Sequence, residues 1–215
     1  MFAVRQAAIQ ELSEKAAGRY PPRLFILSAP SGTGKDTVIE RLRQQGVPFT
    51  LVVTYTTRPR RPVEVDGVDY NFVSRERFLE MRARGEFLEH MEYAQNFYGV
   101  PKQPVVEALA RGENVLLKID VQGAGVVKLM FPSTVLIFLA PPSLEVLEQR
   151  LRQRGITDAA DLERRLAAAA RELACIPGYD YLVVNHQGRL DEAVAQIESI
   201  FRAEGLRVGV PPITL

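Results

Sequence analysis

An α/β fold, with a parallel sheet covered by helices on both faces, is predicted by three features of the sequence. Four or five short apolar runs of strand type alternate with helical segments, and strands buried on both faces read as continuous hydrophobic runs. A Gly-rich turn joins the first of those runs to an amphipathic helix. Between residues 53 and 100 the rhythm breaks into a basic, proline-interrupted, aromatic stretch, which reads as a small lobe inserted into the main sheet.

Taken in order, residues 2–17 read as an amphipathic helix with Phe2, Ile9, Leu12 and Ala16 near one face, stopped by Arg19-Tyr20-Pro21-Pro22. This helix is assigned to packing or interface rather than chemistry. Leu24-Phe25-Ile26-Leu27-Ser28 is the first strand, residues 37–45 lie in the first core helix, and residues 49–55 form the second strand. Within the lobe, 69–73 and 86–93 read as strand pieces around a helix at 75–84, and Asn96-Phe97-Tyr98-Gly99-Val100-Pro101 reads as a closing turn. A helix at 101–111, a strand at 115–119, a helix at 123–130 and a strand at 135–139 restore the alternation. Pro141-Pro142-Ser143 caps a helix to about residue 154, Thr157-Asp158 caps the next to about residue 173, and a strand at 181–184 precedes the helix at 190–204. Residues 205–215 carry no pattern and read as a tail.

The 215 residues suffice for one sizeable core, and a formal net charge of +1 argues for neither nucleic acid nor membrane as partner. The longest apolar run, Val135 to Ala140, is too short to span a bilayer, and the mixed N-terminus lacks a signal-peptide core. One cysteine, Cys175, excludes an internal disulfide framework and a zinc cluster; it reads as a small buried hydrophobe. A cytoplasmic location is the expectation.

Three constellations carry chemistry. The first is Ala29-Pro30-Ser31-Gly32-Thr33-Gly34-Lys35-Asp36-Thr37 between strand and helix. Such a loop turns several backbone N–H groups toward phosphate oxygens, while the helix N-terminus and the lysine add positive charge. Ala29 stands where the common pattern has its first glycine, and Asp36 where it has a magnesium-binding hydroxyl. The second is the lobe. Arg58 and Arg61 lie on an extended, proline-pinned loop with Tyr70 and Tyr98 nearby in the lobe, which suits a separate phosphate group; Arg60 reads as a solvated neighbour. Glu89 and Asp120 offer acceptor-only carboxylates, matched to the N1–H and exocyclic amine of guanine and mismatched to adenine, although spacing alone equally allows Glu89 a salt bridge. The third is the run of arginines on two consecutive helices, Arg150, Arg152, Arg154, Arg164 and Arg165. These are surface charge or a lid that closes over a transferring phosphoryl group.

The residues resemble the guanylate kinase family over 24–203. The shared signatures run from Ser28-Ala29-Pro30-Ser31-Gly32-Thr33-Gly34-Lys35 through Thr56-Thr57-Arg58-Pro59-Arg60-Arg61 and Asp66-Gly67-Val68-Asp69-Tyr70-Asn71-Phe72-Val73. Phe87-Leu88-Glu89, Tyr98-Gly99, Ile119-Asp120-Val121-Gln122-Gly123, Pro141-Pro142-Ser143, Arg150-Leu151 and Val183-Val184-Asn185 follow in the family's order. The resemblance implies a P-loop kinase fold with a nucleoside-monophosphate lobe and a helical lid, catalysing ATP + GMP = ADP + GDP. The implied organisation is one domain over 1–215: an N-terminal helix at 1–20, core at 23–52 and 101–204, GMP lobe at 53–100, lid at 145–172 and tail at 205–215. It further implies that Arg58, Arg61, Tyr70 and Tyr98 hold the GMP phosphate and that Thr54, Glu89 and Asp120 hold the base. ATP would lie on residues 29–37 with Asn185 near adenine, and Lys35, Arg150, Arg154 and Arg165 would serve the transfer.

The sequence departs from the family at three positions. Asp36 replaces the hydroxyl, Lys118 replaces a carboxylate two residues before Asp120, and Val100 replaces a small residue after Tyr98-Gly99. An Asp36–Lys118 ion pair is therefore expected, leaving magnesium to the ATP phosphates, with Asp36 or Thr37 as the candidates for direct contact. The alternatives are a ribose 1,5-bisphosphate kinase of the same fold, whose loops can also read Gly-Lys-Asp, and a non-catalytic guanylate-kinase-like module that binds phosphopeptides. The complete lobe argues against the first and the intact loop against the second. The oligomeric state, a homodimer included, is left open.

Overall fold

The computed structural model of the chain describes residues 6, 9–14, 20–93, 95–155, 158–211 and 213. The core opens with β1 (Leu24–Ser28), α1 (Lys35–Gln44) and β2 (Thr50–Val52). The inserted lobe is β3 (Tyr55–Thr56), β4 (Asn71–Phe72), α2 (Arg75–Ala83), β5 (Phe87–Tyr93) and β6 (Asn96–Pro101). The core resumes with α3 (Lys102–Ala110), β7 (Val115–Leu117), α4 (Val121–Met130) and β8 (Val135–Ala140). Two helices, α5 (Leu144–Gln153) and α6 (Ala159–Leu173), lead to β9 (Tyr181–Val184) and α7 (Leu190–Leu206).

The main sheet has the order β2-β7-β1-β8-β9, with every pairing parallel. Its strands are short and wholly apolar at the centre because both faces are covered. Alternate residues of β1 point to opposite faces. Phe25 and Leu27 pack with Val38, Ile39 and Leu42 of α1 and with Val194, Ile197 and Phe201 of α7, and Phe25 stacks on Phe201 at 3.8 Å between ring centroids. Leu24 and Ile26 pack instead with Val105 and Ala108 of α3 and with Ala124 and Val127 of α4. Since all five strands run the same way, their C-terminal ends share one edge. There the turn after β1 and the segment after β7 emerge side by side, because β1 pairs with β7.

The lobe is a second sheet in the order β4-β3-β6-β5. Phe78 of α2 stacks on Phe87 at 4.4 Å and on Phe97 at 5.3 Å, closing a small separate core with Met81. Gly99 is required where β6 crosses these rings, since an added Cβ would lie 2.7 Å from Phe87.

Several elements differ from the sequence expectation. The run 49–55 is two strands: β2 ends at Val52, and β3 begins at Tyr55 in the other sheet. Residues 96–101 form a strand paired with β5 rather than a turn, and the reversal falls just before it, where Gln95 has φ 64. The strand expected over 115–119 ends at Leu117, and the following helix begins at Val121 because the Asp120 side chain caps it. Helix α7 runs through Gly205 to Leu206, so the tail starts later than expected. Cys175 is exposed rather than buried, because it falls in the turn that follows α6. Of the N-terminal helix, residues 9–14 are helical with Ile9 and Leu12 exposed; Phe2 and Ala16 lie outside the described residues. No helix among the described residues is long and apolar enough to cross a membrane.

Candidate active site

The donor wall is the turn after β1. Gly32 and Gly34 have φ values of 97 and 98, a backbone conformation that side chains resist. The space is also taken: a Cβ on Gly32 would lie 2.9 Å from Leu151 Cδ2, and one on Gly34 would lie 2.8 Å from Asn185 Nδ2. Gly34 caps α1 without a side-chain bond, so the first N–H groups of that helix remain for an anion. Lys35 opens α1. Burial lowers its pKa; Asp36 opposes that shift and Lys118 adds to it.

Two predicted nucleotide residues hold this turn. Asn185 Nδ2 donates to the Thr33 carbonyl at 2.8 Å, and Arg150 Nη1 donates to the same oxygen at 3.2 Å. Arg150 Nη2 reaches the Asn185 carbonyl at 2.9 Å. Arg150 is thus a brace behind the loop, and both side chains are committed to loop carbonyls. Arg165 is likewise engaged, donating to Asp161 one helical turn away at 3.0 Å. Exposed Arg154, at the end of α5, is paired with no carboxylate among the described residues, and its charge helps to lower the Asp36 pKa. The structure therefore does not gather the predicted lid arginines at one point.

The acceptor wall brings its predicted residues together. Arg58 and Glu64 form a two-pronged pair at 2.8 and 3.1 Å, with both side chains largely buried. Glu64 also accepts from the Arg61 backbone N–H at 2.8 Å, and the Arg61 guanidinium lies 3.8 Å away. Desolvation works against the Arg58 charge, but Glu64 outweighs it and holds the pKa above normal. The Arg58 guanidinium lies 5.4 Å from the Tyr70 ring centroid, and Tyr70 meets Tyr98 edge-on at 6.1 Å. Burial, with the neighbouring Tyr98, pushes the Tyr70 hydroxyl up to about 12, so it stays a donor at neutral pH.

Farther along the same wall lie the carboxylates. Glu89 is 5% exposed, on a β5 residue beside a register shift, and its Oε2 is buried without a hydrogen-bond partner. It forms no ion pair among the described residues, so the salt-bridge alternative falls. Burial, with the charge of Asp120 added, pushes its pKa up to about 7. Gly123 makes room for it: a Cβ there would stand 3.2 Å from both Glu89 oxygens. Asp120 spends one oxygen capping α4, accepting from the N–H groups of Gln122 and Gly123 at 2.9 and 3.0 Å. Buried Thr54 sits between the sheets, its carbonyl accepting from Asn71 N–H at 2.9 Å.

Two carboxylates were missed in the sequence. Glu64 looked like one more charge in a Pro-rich loop, yet it holds both predicted arginines. Glu172, on α6, is raised to about 7 by burial, with Lys35 opposing and Asp120 adding. Its place three residues after buried Ala169, one turn along α6, was the available signal.

Lys118 lies between the two walls. Its Nζ is 2.8 Å from Asp36 Oδ1 and 5.1 Å from the Tyr70 ring centroid. The expected ion pair is present. Lys118, with Lys35 and Arg154, holds Asp36 below the usual carboxylate range against desolvation in the cleft. Asp36 and Thr37 offer hard oxygens of the kind magnesium takes, but Asp36 already carries an ammonium. No group of three or more His, Cys, Asp or Glu able to hold a metal occurs among the described residues. With Asp36 engaged by Lys118, these side chains do not fit an ion held by the protein without nucleotide phosphates. A separate cavity of about 1120 Å³, lined in part by Tyr20, Phe49, Glu113 and Phe201, opens at the other end of the sheet and contains none of the predicted residues.

A phosphate turn facing a lobe with its own arginine–tyrosine cluster is the arrangement on which the comparisons bear. The family model for guanylate kinase matches residues 21–204. The chain belongs to the guanylate kinase family. Its relatives include the guanylate kinase of Gloeobacter violaceus, 50% identical over 187 residues that cover 86% of this chain and 88% of the relative. The guanylate kinase of Nitrosomonas europaea is 46% identical over 184 residues, covering 86% and 90%. The crystal structure of guanylate kinase from Anaplasma phagocytophilum superposes with a TM-score of 0.74 at 34% identity, covering 88% of this chain and 89% of that one. The guanylate kinase assignment carries with it the P-loop α/β fold and the class of nucleoside monophosphate kinase.

Proposed function

We propose that the chain transfers the γ-phosphoryl group of ATP to GMP, giving ADP and GDP. The observation that carries this reading is Glu89, a buried carboxylate whose Oε2 has no protein donor. In water-poor surroundings such an oxygen calls for a donor from a ligand. Guanine supplies N1–H and an amine on one edge, whereas adenine presents an acceptor at N1.

In this reading the loop 29–37 and Lys35 hold the ATP phosphates, with Asn185 and Arg150 fixing the loop from behind. Arg58, Arg61, Tyr70 and Tyr98 hold the GMP phosphate, and Thr54, Glu89 and Asp120 hold its base. One oxygen of the GMP phosphate attacks the γ-phosphorus in line. A bond forms there as the bond to the β–γ bridging oxygen breaks, and ADP leaves with that electron pair. The attacking oxygen is already ionised, so no protein base is needed; positioning and charge neutralisation supply the catalysis. Arg154 and Arg165 would complete the charge as the lid, 145–172, closes on the lobe, 53–100, with Arg165 exchanging Asp161 for phosphate. No step runs through a metal held by the protein; magnesium enters this reading as a companion of the ATP phosphates. Cytoplasmic location belongs to the same proposal.

A coupled assay with ATP and GMP, AMP or ribose 1,5-bisphosphate as acceptor tests it. Turnover of GMP with little or none of the other two is the expected result; preference for ribose 1,5-bisphosphate overturns the reading.

A further inference from the structure

Lys118 is a feature of the cleft that the proposed reaction does not absorb. It follows β7 directly, and β7 pairs with β1, so its backbone is carried to the sheet edge beside the phosphate loop. From there the side chain enters the space between the two walls. It is 12% exposed, whereas its partner Asp36 is 74% exposed. A lysine with no role beyond solubility extends its ammonium into water. Here the ammonium is turned inward and is held at two points, by Asp36 Oδ1 at 2.8 Å and against the Tyr70 ring at 5.1 Å. The first contact belongs to the donor loop and the second to the acceptor lobe.

The charge count at the first turn of α1 shows the consequence. Lys35 and Asp36 carry +1 and −1, and Lys118 adds +1 beside the turn that faces the triphosphate, with Arg154 also acting on Asp36 and Glu172 and Asp120 on Lys35. Asp36 cannot ligate a divalent ion there without bringing it close to the Lys118 ammonium. Two like charges about 4 Å apart repel strongly in a partly desolvated cleft. The same ammonium attracts phosphate oxygens, which carry the charge that a metal otherwise offsets.

We infer that Lys118 acts as a resident cation of the phosphoryl-transfer site. Held by Asp36 and against Tyr70, it supplies positive charge where donor and acceptor phosphates meet, so ATP binding in this chain depends only weakly on a divalent ion. The inference rests on the reading of loop 29–37 as the ATP site.

Calorimetric titration of ATP into the full chain, in EDTA and in saturating magnesium, tests this with Lys118→Met, Lys118→Arg and Asp36→Ser alongside. The native chain is expected to bind metal-free ATP within about threefold of its affinity with magnesium. Lys118→Met, which keeps the stem over Tyr70, is expected to widen that gap to about tenfold or more, and Lys118→Arg to keep it near the native value. Asp36→Ser, which removes the opposing carboxylate, is expected to tighten metal-free binding. A native chain that binds ATP only with magnesium overturns the inference. So does a gap that Lys118→Met leaves unchanged, including equal weakening in both media, as a purely structural role would give. A native chain that binds no ATP in either medium overturns the proposed reaction together with the inference.

Discussion

In the proposed reaction Glu89 is the residue on which specificity turns, and its environment makes a measurable demand. With its pKa pushed up to about 7 by burial and by Asp120, the carboxyl is largely protonated at pH 6 and largely ionised at pH 8. Only the ionised form accepts from both guanine donors. GMP affinity is therefore expected to be full above pH 7 and to fall by about tenfold per pH unit below it, with proton release on binding near pH 7. Calorimetry in buffers of different ionisation enthalpy reads both. The same burial costs stability in the unliganded chain. The folded pKa lies above the unfolded value, so the penalty is complete above pH 7 and is relieved as pH falls toward 4.5. Glu89→Gln is thus expected to stabilise the unliganded chain at pH 8 by about 2 kcal/mol, seen as a higher midpoint in urea. Glu64 makes a second demand. It fixes Arg58 and Arg61 and touches nothing on the donor wall, so Glu64→Ala should raise the KM for GMP about tenfold and leave the KM for ATP nearly unchanged. That Arg58, Tyr70 and Tyr98 cluster, and that Glu89 stands apart from any salt bridge among the described residues, fits what their residue types and order suggest. Glu64 was not legible, because a carboxylate in a loop announces nothing until the chain brings an arginine onto it.

At the scale of the element, the lobe depends on the approach of β6 to the Phe78–Phe87 stack. Gly99→Ala would place a methyl 2.7–2.9 Å from those rings, and such overpacking costs about 1–3 kcal/mol. A thermal midpoint lowered by roughly 2–12 °C is expected for a chain of this size. β1, β8 and β9 were legible because each is an apolar run bounded by turn residues. The break at 53–54 was not, because Phe49-Thr50-Leu51-Val52-Val53-Thr54-Tyr55 is uninterruptedly strand-like and only the partner strands decide where one sheet yields to the other. Residues 96–101 were misread for the opposite reason: asparagine, glycine and proline signal a turn locally, yet pairing with β5 overrides that preference. The early end of β7 followed from a cap that became visible only once Asp120 Oδ1 was seen on two helix N–H groups.

Across the whole molecule, the parallel sheet carries the phosphate turn and Asp120 to one edge, while β5 of the lobe brings Glu89 close to Asp120. In this arrangement Arg150 is already seated on the loop while Arg165 is held on its own helix by Asp161. The motifs along the chain pointed to the phosphate turn, whereas the engagement of Arg150 depends on the Thr33 carbonyl, 117 residues away in sequence. The central claim is that the loop takes ATP while a buried carboxylate opposite selects guanine. Its most direct test is kcat/KM for GMP and for AMP, measured side by side in the native chain and in Glu89→Gln. The account predicts a native preference for GMP of about 10³-fold or more, and a loss of about 10²-fold for GMP in Glu89→Gln with AMP scarcely changed. A native chain that uses both acceptors alike, or a Glu89→Gln chain that keeps the full preference, would contradict it.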